Sequence, residues 1–348
     1  MSSTPNATTV AVDAMGGDFG PEVTVPAAIE FLLKPHNKDH RIILVGLEEP
    51  IQTVLRTHGA KELLDSKRLA IHGASEVVAM DESPALALKR KKDSSMRVAI
   101  NLVKEGVAQA AVSAGNTGAL MATARFVLKT IKGIDRPAII STMPCLDTSQ
   151  TLHMLDLGAN VDSTPEMLVQ FAIMGSVLTR YVDKKESPRV ALLNVGAEEI
   201  KGSEKVKMAS QLLNESPLNY VGYIEADEIF NGKVDVIVCD GFEGNVALKA
   251  SEGTAKMIMK VLKEEFKRNA LTKLAGACAA PVFRSIQSRL DPRSHNGASL
   301  IGLNGIVVKS HGGTDQVGFE YAIQEARQQA SRNVIGHISQ EIEKVYSI

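Results

Sequence analysis

Four segments of the chain set aspartate, asparagine, serine and glycine where a small anion can be gripped. The first, 13-DAMGGDFGPE-22, follows the apolar residues 9–12. A short β-branched run that empties into Asp and then Gly-Gly reads as a buried strand ending in a tight loop. Gly16 and Gly17 leave peptide N–H groups uncovered, and Asp13 and Asp18 put carboxylates at the same strand end. In open α/β sheets, ligands sit beyond the carboxyl ends of the strands.

The other three segments repeat that design. In 108-AQAAVSAGNTGAL-120, small apolar residues lead into Ser113, Asn116, Thr117 and Gly118, ahead of a helical pattern at Leu120, Ala124, Val127 and Leu128. Asn116 is a preferred helix N-cap, and the N–H groups of the following turn make an anion site. The segment 152-LHMLDLGANVDSTPE-166 carries Asp156, Gly158, Asn160 and Asp162, and the spacing of Ser163 and Glu166 predicts a capping box with Pro165 in the first turn. In 234-VDVIVCDGFEGNVALK-249, a strand gives way to Asp240-Gly241 and Gly244-Asn245, with Lys249 expected one turn into a helix. A lone histidine, His311, stands between Lys309-Ser310 and Gly312-Gly313 at another strand end.

Together with 94-SSMR-97, 191-ALLNVGAEEIKG-202 and 309-KSHG-312, these segments closely resemble the bacterial acyl-carrier-protein:phosphate acyltransferase (PlsX) family, from about Thr9 to about Arg332. Each motif alone is weak, whereas their ordered combination is specific. Glu243 departs from the form of the family, in which a small hydroxyl residue is common at this place. The resemblance implies attack of inorganic phosphate on the thioester of an acyl-carrier protein, giving a long-chain acyl phosphate and the free carrier. It implies no cofactor, because thioester and acyl phosphate are both activated acyl groups. Such an enzyme has to place phosphate against the carbonyl and supply donors for the developing oxyanion.

The residues available match that demand. His311 is the candidate to donate to the carbonyl oxygen or to protonate the departing thiolate; a structural histidine is the alternative. Lys309 and Lys249 are cations expected to reach toward phosphate. Ser113 and Thr117 can bond its oxygens or merely satisfy the turn. The amides of Asn116, Asn160 and Asn245 donate without a charge cost, with Asn245 grouped with His311 and Lys309 as catalytic. Asp13, Asp156 and Asp240 would repel bare phosphate, so they are expected to orient Lys, His and backbone donors or to hold a loop by accepting N–H groups, with a divalent metal bridging them to phosphate as the alternative and no metal ligand assigned; with Gly16, Gly17, Gly118 and Gly241 they belong to the expected phosphate- and substrate-binding set. The basic stretch 89-KRKKDSSMR-97 reads as a solvated face or as a rim for an acidic carrier protein, with Ser95 and Arg97 nearest the site.

The elements that must hold these loops are strands alternating with helices. Strands are expected at 10–13, 41–45, 68–71, 110–113, 138–142, 152–156, 190–194, 219–224, 234–239 and 306–309. That alternation predicts an α/β/α sandwich with a mostly parallel sheet. The family resemblance implies likeness to the isocitrate and isopropylmalate dehydrogenases. Residues 316–346 read as two helices or one very long one. Residues 1–8 are expected to be a flexible, uncharged N-terminus, and 9–348 a single domain, since no Pro/Ser-rich linker divides it.

Composition narrows the function classes. With 348 residues, 44% hydrophobic and 23% charged, the chain can bury a large core. A net charge of −1, no Trp and 4% aromatics argue against nucleic acid as a partner. Three widely separated cysteines and no apolar run long enough to cross a bilayer suggest a cytoplasmic protein. Residues 264–293 stand apart. Basic residues flank apolar positions at Phe266, Ala270, Leu274 and Cys278, then Val282, Ile286 and Leu290, around the uncharged 274-LAGACAAPVF-283. This predicts a protruding helical hairpin suited to a membrane surface, a carrier protein or a second subunit. The resemblance implies a homodimer that delivers acyl phosphate to a downstream membrane acyltransferase through peripheral membrane contact. Two alternatives remain at this point, a metal- and NAD-dependent dehydrogenase and a membrane-docked scaffold; the first loop lacks the G-x-G-x-x-G spacing of a dinucleotide turn.

Overall fold

The computed structural model describes residues 7–289 and 291–346. Its strands are β1 (Thr9–Asp13), β2 (Arg41–Gly46), β3 (Leu69–Gly73), β4 (Ala110–Ser113), β5 (Ala138–Met143), β6 (Leu152–Leu155), β7 (Val190–Leu193), β8 (Tyr220–Ile224), β9 (Val236–Val238), β10 (Ala298–Ile301) and β11 (Ile306–Lys309). They form one sheet in the order β3-β2-β1-β4-β11-β10-β5-β6-β9-β7-β8. β3, β2, β1, β4 and β11 are mutually parallel, as are β6, β9, β7 and β8. Between the two groups, β10 runs antiparallel to β11 and β5, and β5 antiparallel to β6. The two parallel groups therefore run in opposite directions within one continuous sheet.

Parallel strands need both faces covered, which is why β1, β4 and β9 are apolar and buried along their length. The helix Pro165–Val182 is buried over most of its surface, against Val334–Tyr346 and the strands of the second group. The helices Pro21–Leu33 and Gln316–Ser331 pack together over the first group. The pattern at 316–346 thus resolves into two helices, separated at Arg332 and Asn333; Asn333 takes a positive φ of 49°.

Three sequence expectations need correction. β10 was absent from the expected strands because ASLI opens with two small residues and has little intrinsic strand preference. Pairing on both sides makes it a strand. The capping box at Ser163 is not formed, since the N-cap is Thr164, whose hydroxyl accepts from Met167 N, while Ser163 N donates to Asp240. Of the terminus expected to be flexible at 1–8, residues 1–6 lie outside the described residues, but Thr8 is buried and its N–H and hydroxyl reach His40 Nδ1 at 3.2 and 2.9 Å.

The expected hairpin is also larger than its sequence signature. An unbroken helix, Gly241–Lys267, begins at a strand end and continues into the helices Ala270–Cys278 and Ala280–Arg289. Leu290 lies outside the described residues. Gly276 folds back onto Phe266, and Phe266 meets Phe283 edge to face with centroids 4.7 Å apart. Phe283 is therefore packed within the arm, whereas Leu271, Leu274 and Val282 are 77%, 64% and 60% exposed.

Candidate active site

The ends of β1, β4 and β11 bring one set of loops into contact. Ser113 Oγ donates to Asp13 Oδ2 at 2.6 Å and accepts from Gly115 N at 3.0 Å. Burial pushes the Asp13 carboxyl upward, against bonds from Ser113, Ser95 and the N–H groups of Met15 and Gly16. Asp18 N donates to Gly312 O at 2.9 Å, which ties the first loop to the histidine loop. A Cβ at Gly16 would meet Asp13 Oδ2 at 2.7 Å, Gly115 N at 2.8 Å and Ser113 Oγ at 3.1 Å. Gly17, with φ 90°, would drive a side chain to 2.9 Å from Gly312 O. Both positions thus demand glycine for close approach of backbones.

Lys309 and His311 enter this junction from the end of β11. The Lys309 ammonium donates to the carbonyl oxygens of Ala114 and Ser310. Burial lowers its pKa to about 8; Asp13 and Asp18 pull upward, and the positive charge of Lys249 pushes down. The exposed His311 ring accepts from Gly313 N at Nδ1, 3.1 Å away. A neutral imidazole that accepts at Nδ1 carries its proton on Nε2, so the outward nitrogen is a donor. Beside these groups lies a recess lined by Gly16, Phe19, Gly20, Ala114, Gly312 and Thr314.

A second cluster forms at the ends of β6 and β9. Asp156 accepts from the N–H groups of Ile139, Gly158, Ala159 and Asn160 and from Asn160 Nδ2, at 2.7 to 3.2 Å. That ring of donors makes it the clasp of the loop. Burial would raise the Asp240 carboxyl, but Lys205 at 2.7 Å, with Ser163 N and Phe242 N, holds it below the usual range. Gly241 and Gly244 lie so close that added Cβ atoms would fall 2.2 Å from Asn160 O and 2.0 Å from Asp156 O. Asn245, exposed in the first turns of the long helix, packs against Gly158. The same helix links the clusters, since the charge of Lys249 is felt at Lys309.

Not every predicted residue points at this junction. Asn116 is the N-cap as expected, accepting from Ala119 N, but its amide nitrogen donates to Met80 O and Glu82 O. Gly118 faces Pro84, which a Cβ would meet at 2.8 Å, so its bare side is already covered. Thr117 is exposed in the first turn. The Asn160 amide is committed to Pro137 O and Asp156. Arg97 donates to Leu88 O and lies 5.3 Å over the Phe126 ring, whereas Ser95 is buried beside Asp13. Lys249 sits more than two turns into its helix, not one, and pairs with Glu252 at 3.1 Å. Sequence reading missed Lys205, the counter-ion of Asp240, and Asn296, whose amide bonds the histidine loop. Neither lies in a glycine-rich motif, so neither carried a local signal.

Among the described residues, no group of three or more His, Cys, Asp or Glu is disposed to hold a metal ion, and no helix is long and apolar enough to cross a membrane. Comparison with known proteins bears on the family and the fold. Residues 8–337 match the family described as Fatty acid synthesis protein. A phosphate acyltransferase of Alkalilimnicola ehrlichii is 58% identical over 97% of this chain and 96% of its own. One from Legionella pneumophila is 55% identical over 96% of both. The fold is shared with a phosphotransacetylase from Streptococcus pyogenes, at TM-score 0.64 and 18% identity over 93% of this chain and 94% of that one. It is also shared with a 4-hydroxythreonine-4-phosphate dehydrogenase from Burkholderia phymatum, at TM-score 0.51 and 16% identity over 92% and 98%. With its family matched across nearly its whole length, the chain belongs to the phosphate acyltransferases and is an acyltransferase.

Proposed function

We propose that the chain moves an acyl group from the thioester of an acyl-carrier protein onto inorganic phosphate, releasing acyl phosphate and the free carrier thiol. The observation that carries this reading is the meeting of loops 13–18 and 309–313, where a half-buried cation whose pKa burial lowers and an exposed imidazole donor stand on the loop whose Gly312 lines the recess. Phosphate is already an oxyanion nucleophile, so its capture by Lys309 and loop N–H groups leaves positioning as the main task. One phosphate oxygen attacks the carbonyl carbon. The carbonyl oxygen gains charge and takes a hydrogen bond from His311 Nε2–H, and collapse expels the thiolate, which takes up a proton. The dehydrogenase and scaffold alternatives lose their ground with the family assignment.

The wider setting belongs to the same proposal. Residues 9–348 act as one catalytic unit in the cytoplasm, without a resident cofactor, supplying long-chain acyl phosphate to phospholipid synthesis. The basic stretch 89–97 supports docking of an acidic carrier, and the exposed apolar arm supports a homodimer contact or peripheral attachment to the membrane that houses the next acyltransferase. Incubation with acyl-carrier protein thioester and phosphate should yield an acyl phosphate trapped by hydroxylamine. Thioester consumption without a phosphate-dependent hydroxamate would sink the reading.

A further inference from the structure

We infer that Asn296 is a positioning residue for the His311 loop; the inference rests on the reading that His311 acts on the acyl group. Asn296 follows the short helix Pro292–His295 and precedes β10, away from every glycine motif. Its side-chain oxygen accepts from His311 N at 3.0 Å. Its nitrogen donates to Ser310 Oγ at 2.8 Å, Thr314 Oγ1 at 3.3 Å and Gly318 O at 2.7 Å. All four partners lie within residues 310–318, so a single half-buried amide gathers both flanks of the histidine and its backbone.

The chemistry of the amide explains the choice of residue. The loop presents one donor and three acceptors, and asparagine is the compact side chain that offers an acceptor and a two-proton donor at once. Aspartate has the same shape but would set a carboxylate against the acceptors. The effect reaches the imidazole in one step: Gly313 N fixes Nδ1, and Gly313 lies within the arc that Asn296 closes. Neighbouring Arg293 adds a second tie from the same segment, pairing with Asp315, the N-cap of the helix Gln316–Ser331, at 2.9 Å. The segment 293–296 thus braces the loop from both of its flanks.

The test uses the full chain carrying Asn296→Ala, with the isosteric Asn296→Asp as a second variant should the first pack poorly. Amide hydrogen exchange across 310–318 should quicken about tenfold or more, with the rest of the sheet unchanged. In acyl phosphate formation, kcat should fall about tenfold or more while KM for phosphate stays within about twofold. In a His311→Ala background, the second substitution should cost less than about twofold further, because the residue acts through His311. Unchanged exchange, an unchanged kcat, or an undiminished loss in that background would each overturn the inference. Failure of the wild-type chain to form acyl phosphate overturns the proposed reaction instead, and the exchange measurement, which needs no turnover, still decides whether Asn296 holds the loop.

Discussion

Lys309 and His311 differ in how their surroundings prepare them. The half-buried Lys309 keeps its charge below about pH 8 and loses it above. Phosphate capture should therefore weaken as the pH climbs from there, with kcat/KM for phosphate falling about tenfold per pH unit. Stability moves the other way, because the cost of burying the ammonium disappears as it deprotonates between about 8 and its ordinary 10.5. Lys309→Arg, which holds its proton throughout, should erase the alkaline limb of the rate profile. A limb that persists in this variant assigns the titration to another group. For His311, the Nε2–H tautomer makes it a donor, so His311→Gln should retain at least about tenfold more activity than His311→Ala, which is expected to lose about 10²–10³ in kcat. Equal rates for the two variants would point to proton transfer. The glycine-rich turns around Asp13, Ser113 and Lys309 were legible from sequence because each motif needs its residues in local order. Asn296 and Lys205 were not, since their partners lie across folded space.

Most of the elements were equally legible. Apolar runs gave nearly all the strands, because a strand buried on both faces writes its burial into consecutive residues. β10 escaped because its pairing, on both sides, is the work of β5 and β11 rather than of its own four residues. The long helix from Gly241 was foreseen at its start and at its arm, without the continuity between them. At the beginning of β9, Asp235 joins elements that no motif connects. Its carboxylate takes Lys185 at 2.5 Å and Arg189 at 2.8 to 3.0 Å. Burial would raise its pKa, but these donors win and hold it at about 2. Asp235→Ala should destabilise the fold by about 1–3 kcal/mol at neutral pH in urea unfolding. A depressed carboxylate contributes above its ordinary 3.8 and loses its contribution as pH falls toward about 2, so the difference between wild type and variant should shrink across that interval. A pH-independent difference would assign the loss to packing.

At the scale of the whole molecule, the proposed membrane contact of the arm can be tested apart from the chemistry. Leu271→Asp with Leu274→Asp alters exposed positions and should leave the unfolding midpoint unchanged. Flotation with anionic vesicles should be lost while turnover on soluble carrier substrate persists. Turnover that collapses with flotation intact would make the arm a carrier dock. The placement of β11 has a different consequence, for synthesis. It inserts between β4 and β10, although 195 residues separate Ala114 from Lys309. On a ribosome adding about 5–20 residues per second, β4 waits about 10–40 s with one edge bare before its neighbour is made. During that interval the unpaired edge of β4 is a template on which another strand could pair. The recess beside Lys309 and His311 cannot close until Gly312, Thr314 and Phe319 have left the exit tunnel, so translation itself delays its completion until the sheet is whole.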